Sequence, residues 1–103
     1  MKFTYTLAAA GLLLGAVSAS AQALDALQVR SLAASCSACH GTNGHAQPGM
    51  ISLAGTPSQL TVQKMQDFKA GRAPSATVMH QLAKGYNDAE INAIAAYFAA
   101  QKK

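Results

Sequence analysis

Cys36, Ser37, Ala38, Cys39 and His40 form a C-x-x-C-H run, and the chain has 2 cysteines in all. This pattern is the attachment signature of c-type haem. Each thiol adds across one haem vinyl group, giving a thioether. Two intervening residues set the sulfurs at the separation of the vinyls. The histidine directly after the second cysteine then lies under the iron as its proximal ligand.

Other chemistries use the same residues. A redox-active C-x-x-C is expected beside a βαβ pattern, and none is visible here. A structural zinc site needs four ligands, and only His45 and His80 remain to join the set. A disulfide between Cys36 and Cys39 would close a tiny loop and stabilise little. Haem attachment is the reading that uses every member of the motif.

A second axial ligand has five candidates, Met50, Met65, Met79, His45 and His80. Met50 and His45 lie too close in sequence to His40 to reach across a haem. Met65 falls on the inward face of a predicted helix, where methionine is more often a core filler. Met79 lies in an irregular stretch before the last predicted helix, so the chain can wrap to the opposite face there. Met79 is the favoured ligand, as Met/His pairs are the cytochrome c arrangement. His80 is the alternative, and otherwise a solvent-exposed neighbour of the ligand.

Three helices must position these groups. The first spans about 25–36, with Asp25 as N-cap and Val29, Leu32, Ala33 and Cys36 along one face. It runs directly into the cysteine motif. From Gly41 to Pro57, glycine, proline, asparagine, serine and threonine signal a loop. A second helix spans about 58–70, capped by Ser58 and stopped by Gly71, with Leu60, Met65 and Phe68 inward. Pro74 keeps the next stretch, to His80, from forming one continuous helix. The last helix begins after Asn87, with Glu90 completing a capping box. Ile91, Ile94, Ala95 and Phe98 form its buried stripe, and Lys102 and Lys103 complement the negative end of its dipole. No segment alternates with the period of a half-buried strand. The fold class is all-α. The first and last helices should cross, with Val29, Leu32 or Ala33 touching Ile91, Ile94 or Phe98.

The chain has 103 residues, enough for one small domain. Its start reads as a secretory signal peptide, residues 1–23. Lys2 gives the positive n-region, Leu7 to Val17 is apolar, and Ala21-Gln22-Ala23 is an A-x-A site. Cleavage follows Ala23, or alternatively Ala21. The apolar run falls short of the roughly 20 residues a spanning helix needs. The domain, 24–103, would then act in the periplasm. It has no Trp, and its aromatics are Phe68, Tyr86, Tyr97 and Phe98. So small and alanine-rich a domain needs a staple, metal or cofactor to complete its core. Lys and Arg number 8 against 4 Asp and Glu. Without Lys2, and with two haem propionates, the balance is only mildly positive. It gives no reason to expect nucleic acid and permits docking to an acidic patch.

Several stretches extend the motif. They are Ser31-Leu-Ala-Ala-Ser-Cys-Ser-Ala-Cys-His-Gly-Thr-Asn-Gly44, Ser52-Leu-Ala-Gly55, Gln63-Lys-Met-Gln-Asp-Phe-Lys-Ala-Gly71, Ala76-Thr-Val-Met-His-Gln-Leu-Ala-Lys-Gly85 and Asp88 to Gln101. Together they resemble class I cytochromes c over nearly the whole of 24–103. Within that class they resemble the small cytochrome subunit of flavocytochrome c sulfide dehydrogenase and its single-domain relatives. The resemblance implies Met79 as the axial methionine and Leu53 as a residue packed on the haem. It also implies that the Pro48 carbonyl accepts a hydrogen bond from the His40 ring. Relatives often carry a second proline shortly after the first, where this chain has Ile51. A single C-x-x-C-H implies one haem. The function implied is electron transfer from an FAD-containing, sulfide-oxidising subunit, with no bond chemistry performed by the cytochrome itself. The alternative is a free shuttle to a terminal oxidase or another dehydrogenase. A haem enzyme or gas sensor would need an open iron position, which a Met79 ligand closes.

Overall fold

The computed structural model describes residues 23–103. The expected leader lies outside the described residues except for Ala23. Five helices appear in chain order: α1 (Ala26–Ala34), α2 (Ser37–His40), α3 (Ser58–Lys69), α4 (Met79–Leu82) and α5 (Asp88–Ala99). Short 3-10 turns occupy Thr42–Gly44 and Ala83–Gly85. No strand occurs among the described residues, as the missing period-two alternation predicts. No described helix is long and apolar enough to cross a membrane.

Local chemistry fixes the helix ends. Asp25 accepts the Gln28 N–H at 2.8 Å, and the Gln28 side chain accepts the Asp25 N–H at 2.8 Å. Asn87 and Glu90 close the same reciprocal box at α5, at 2.8 and 2.9 Å. Each box satisfies two backbone donors that the first turn leaves free. At α3 the expectation fails: Pro57 holds the N-cap position, Ser58 is already helical, and no side chain caps the end. The other end of α3 closes as expected around Gly71, with Arg72 N–H bonded to Asp67 O and Gly71 N–H to Phe68 O. These are the paired bonds of a Schellman stop.

The first helix is shorter than its apolar periodicity suggests. Ser35 N–H and Cys36 N–H reach back only three residues, to Leu32 O and Ala33 O. That tightening ends α1 at Ala34 and lets a separate turn, α2, carry the cysteines. Lys102 and Lys103 likewise lie beyond α5, which ends at Ala99.

The α1–α5 crossing is as predicted. Ala33, Ile94 and Phe98 form one buried cluster, joined by Leu32, Cys36, Leu53, Tyr86 and Tyr97. Met65, Ala83 and Ile91 form a second, joined by Val62, Phe68, Met79 and Tyr86. Ile91 and Phe98 are the largest fully buried side chains, each contributing about 1.5–3 kcal/mol by burial. Leu60, predicted inward, is instead about half exposed. It lies in the first turn of α3, outside both clusters.

Tyr86 belongs to both clusters and ties three helices together. Its hydroxyl lies 2.6 Å from Ser35 Oγ at the end of α1. Its carbonyl accepts a 2.7 Å bond from Lys69 Nζ at the end of α3. It immediately precedes the Asn87 cap of α5.

Candidate haem site

Cys36 occupies the position before α2, and Cys39 and His40 fall within it. The His40 N–H bonds Cys36 O at 2.9 Å, so one helical turn carries all three groups. Three- and four-residue offsets on such a turn bring side chains to one face. Gly41 ends the turn at φ 80°, where a Cβ would overlap the His45 carbonyl oxygen. The motif needs glycine there because the chain reverses at once.

Both thiols are free. Cys36 is half-buried against the Ala33–Ile94–Phe98 cluster, and Cys39 is exposed. Burial pushes the Cys36 thiol above its ordinary pKa, opposed in part by the Ser35 hydroxyl. Desolvation disfavours the thiolate, so Cys36 waits as the neutral S–H.

His40 Nδ1 lies 2.6 Å from the Ile51 carbonyl oxygen. A carbonyl only accepts, so Nδ1 carries the proton and Nε2 presents its lone pair. That leaves the imidazole oriented and in the tautomer a metal ion requires. The expected acceptor was Pro48, and the structure moves this role to Ile51. A turn closed by Met50 N–H to Gln47 O delays the chain's arrival at the ring, and Pro48 is left exposed.

The loop from Gly41 to Pro57 is held by its own backbone. Gly44 O accepts Leu53 N–H at 2.8 Å and Ala54 N–H at 3.2 Å, and Gly55 N–H bonds Phe98 O at 2.8 Å. Ala46 N–H adds a bond to Ser52 Oγ at 3.0 Å. Gly44 has φ 82°, and a Cβ there would lie 2.7 Å from Ala54 N and 2.9 Å from Phe98 Cδ1. Leu53 is thereby brought against the same cluster as Cys36.

On the second segment, Met79 opens α4 rather than lying in irregular chain. Its half-buried side chain packs against Met65, Ala83 and Ile91. His80, expected to face solvent beside a methionine ligand, is only partly exposed, and its Nδ1 is buried without a hydrogen-bond partner. His45 is otherwise occupied, with Nε2 2.7 Å from the Lys102 carbonyl.

The donor set fits a covalent haem: two free thiols, an imidazole with Nε2 available, and a thioether sulfur on an apolar wall. The surroundings fit as well. Met50, Leu60, Val78 and Leu82 are each about half exposed, and Ile51 is 70 % exposed. They belong to the loop after His40, the start of α3 and the Val78–Leu82 segment, where an apolar macrocycle would cover them. No group of three or more His, Cys, Asp or Glu among the described residues could hold a metal ion, which leaves the zinc reading without a ligand set. Two surface clefts, of about 600 and 170 Å³, have neither His40 nor Met79 in their walls.

Sequence reasoning did not single out Tyr86, Ser35 or the Ile51 carbonyl. Tyr86 had a usable signal, being an aromatic directly before a helix cap in an aromatic-poor chain. The Ile51 role had none, because a backbone carbonyl is the same in every residue.

An all-helical domain whose first and last helices cross beside a C-x-x-C-H turn defines a small c-type cytochrome. The family model for cytochrome c matches residues 28–102. The chain belongs to the cytochrome c family, electron-transfer proteins that hold haem c covalently. It is 35 % identical over 100 residues to cytochrome c4 of Azotobacter vinelandii, covering 88 % of this chain and 48 % of that one. It is 42 % identical over 67 residues to the cytochrome subunit of sulfide dehydrogenase of Chlorobaculum tepidum, covering 65 % and 60 %. It is 39 % identical over 72 residues to the thiosulfate dehydrogenase electron acceptor of Thiomonas intermedia, covering 68 % and 33 %. The chain thus spans between a third and three-fifths of these relatives.

Proposed function

We propose that this chain is a periplasmic, single-haem electron carrier that accepts electrons from a sulfide-oxidising, FAD-containing dehydrogenase subunit. In this reading the leader is removed after Ala23 or Ala21, and residues 24–103 form the working domain. Cys36 and Cys39 would hold the haem covalently, as thioethers to its two vinyl carbons. His40 Nε2 and the Met79 sulfur would be the protein donors to its iron. When bound, the haem supplies a one-electron couple. The chain's own residues orient and tune it. Ile51 O holds the His40 ring and raises its basicity. Leu53 and the wall of α5 keep water from one side, and the α3–α4 cluster supports Met79.

The carrying observation is the His40 Nδ1 bond to Ile51 O, which leaves Nε2 free one turn from two free thiols. The dehydrogenase partner is supported by two relatives whose names tie them to sulfide and thiosulfate dehydrogenases. The resemblance to cytochrome c4 supports the second reading, a free shuttle.

Acid-acetone extraction of the denatured protein tests attachment, and retained haem is the expected result. Haem lost from the wild type would refute it. For the axial pair, Met79→Ala should open the iron to carbon monoxide and lower the potential, because thioether sulfur favours the ferrous state. His80→Ala should leave ligation unchanged. The reverse pattern would assign His80, whose buried and unpartnered Nδ1 makes it the competing ligand. Rapid sulfide-dependent reduction only with the flavoprotein present would support the subunit reading, and equal reduction by unrelated donors would support the shuttle.

A further inference from the structure

Among the described residues, five of the six large apolar side chains left exposed belong to the segments flanking the proposed haem site. The sixth, Leu27, is 74 % exposed and lies elsewhere. It stands in the cleft of about 600 Å³ between α1 and the start of α5. Leu24, Leu27, Ser31 and Ser35 follow one another at three- and four-residue steps, so the cleft runs along the whole of α1. That is about 17 Å at helical rise, the length of a three-turn helix. Leu32 and Tyr86 also line it, and Glu90 is the only charged lining residue among the described residues.

The charge around it is unusual for this molecule. The chain carries a net +4, yet among the described residues no Lys or Arg lines the cleft. Asp25 caps α1 at one end, and Asp88 and Glu90 occupy the first turn of α5. The remaining carboxylate, Asp67, is paired with Arg72 at 2.8 Å. Glu90 thus lines the cleft, and Asp25 stands in sequence between its lining residues Leu24 and Leu27.

We infer that this cleft is a docking groove for an amphipathic, lysine- or arginine-flanked helix of a partner protein. Apolar residues spaced i, i+3 and i+7 would lie along Leu24, Leu27 and Leu32, and the partner's cations would meet Asp25 and Glu90. An anionic lipid surface is disfavoured by the same carboxylates. The inference does not depend on which residues ligate the iron, since neither His40 nor Met79 lines the groove.

The probe is a synthetic helical peptide of about four turns, with leucine along one face and lysine beside it, added to isotope-labelled holoprotein. Amide shifts should concentrate at Leu27, Ser31, Leu32 and Glu90. A twin peptide with glutamate for every lysine should not bind. Leu27→Ser should weaken binding at least about tenfold, from the loss of one buried leucine. Glu90→Gln, which keeps a capping-box side chain, should weaken it about threefold with no change in the haem spectrum. Equal binding of the glutamate twin would overturn the inference. So would shifts confined to Ile51, Val78 and Leu82, or no binding of either peptide. Concentration-dependent dimerisation abolished by Leu27→Ser would also overturn it, by giving the groove to a second copy of the chain.

Discussion

Replacing Gly44 by alanine should damage this protein far more than the same change at Gly49. Both glycines have positive φ, 82° and 92°. A non-glycine residue in left-handed backbone costs about 1–2 kcal/mol, and at Gly49 nothing further is added because no atom lies within 4 Å of the new Cβ. At Gly44 the Cβ would sit 2.7 Å from Ala54 N, 2.9 Å from Phe98 Cδ1 and 3.0 Å from Leu53 Cβ. The first of these is backbone already bonded to Gly44 O, and Phe98 is fully buried. Neither can move aside without opening the core, which adds about 1–3 kcal/mol of overpacking. Gly44→Ala should therefore cost about 2–5 kcal/mol in all, against a total stability of about 5–10 kcal/mol for a small domain. Guanidinium unfolding of the two holoprotein variants, followed by far-ultraviolet circular dichroism, measures the difference. Equal midpoints for Gly44→Ala and Gly49→Ala would refute the claim that the loop after His40 is clamped onto Phe98.

Tyr86→Phe keeps the ring and removes the hydroxyl held by Ser35, so unfolding should shift by about 1 kcal/mol with an unchanged m-value. Phe98→Ala removes the shared wall of α1, α5 and the loop, and should cost about 3–5 kcal/mol in the same assay. The Asp67 carboxyl is held below its usual pKa first by the hydrogen bond from Arg72, with Gln63 assisting. A depressed folded-state pKa gives stability that is present above the ordinary carboxylate range and lost as pH falls through the folded value. Asp67→Asn should thus be slightly less stable than wild type near neutral pH, and the gap should close as pH falls below the ordinary carboxylate range. A gap that widened in acid would contradict the sign.

Much of this fold was legible because local and global signals agree. The Asp25 and Asn87 caps, the Gly71 stop and the Ile91–Ile94–Phe98 stripe each predict a feature that tertiary packing then uses. The misses have physical causes. Ser58 looked like a cap, but Pro57 supplied extended backbone one residue earlier. Leu60 looked inward on helical periodicity, yet periodicity cannot tell a protein core from a surface that a cofactor would cover. Pro48 and Ile51 exchanged roles because a turn of three residues changes which carbonyl meets the imidazole, and loop paths have no period to read. At the site, Cys36, Cys39 and His40 could be read from spacing alone, since covalent chemistry dictates that spacing. Ser35 and Tyr86 act through a contact across 51 positions, which a single sequence does not display.

The bond from His40 to Ile51 separates two kinds of information at one position. The orienting group is the carbonyl, which every amino acid supplies, while the Ile51 side chain is 70 % exposed. Mutation at this codon can therefore change the apolar face offered to the haem without altering the imidazole's acceptor. A lineage could retune the cover over the haem through residue 51 while the acceptor for His40 stays inherited, whereas insertions or deletions between Gln47 and Ile51 would disturb both at once.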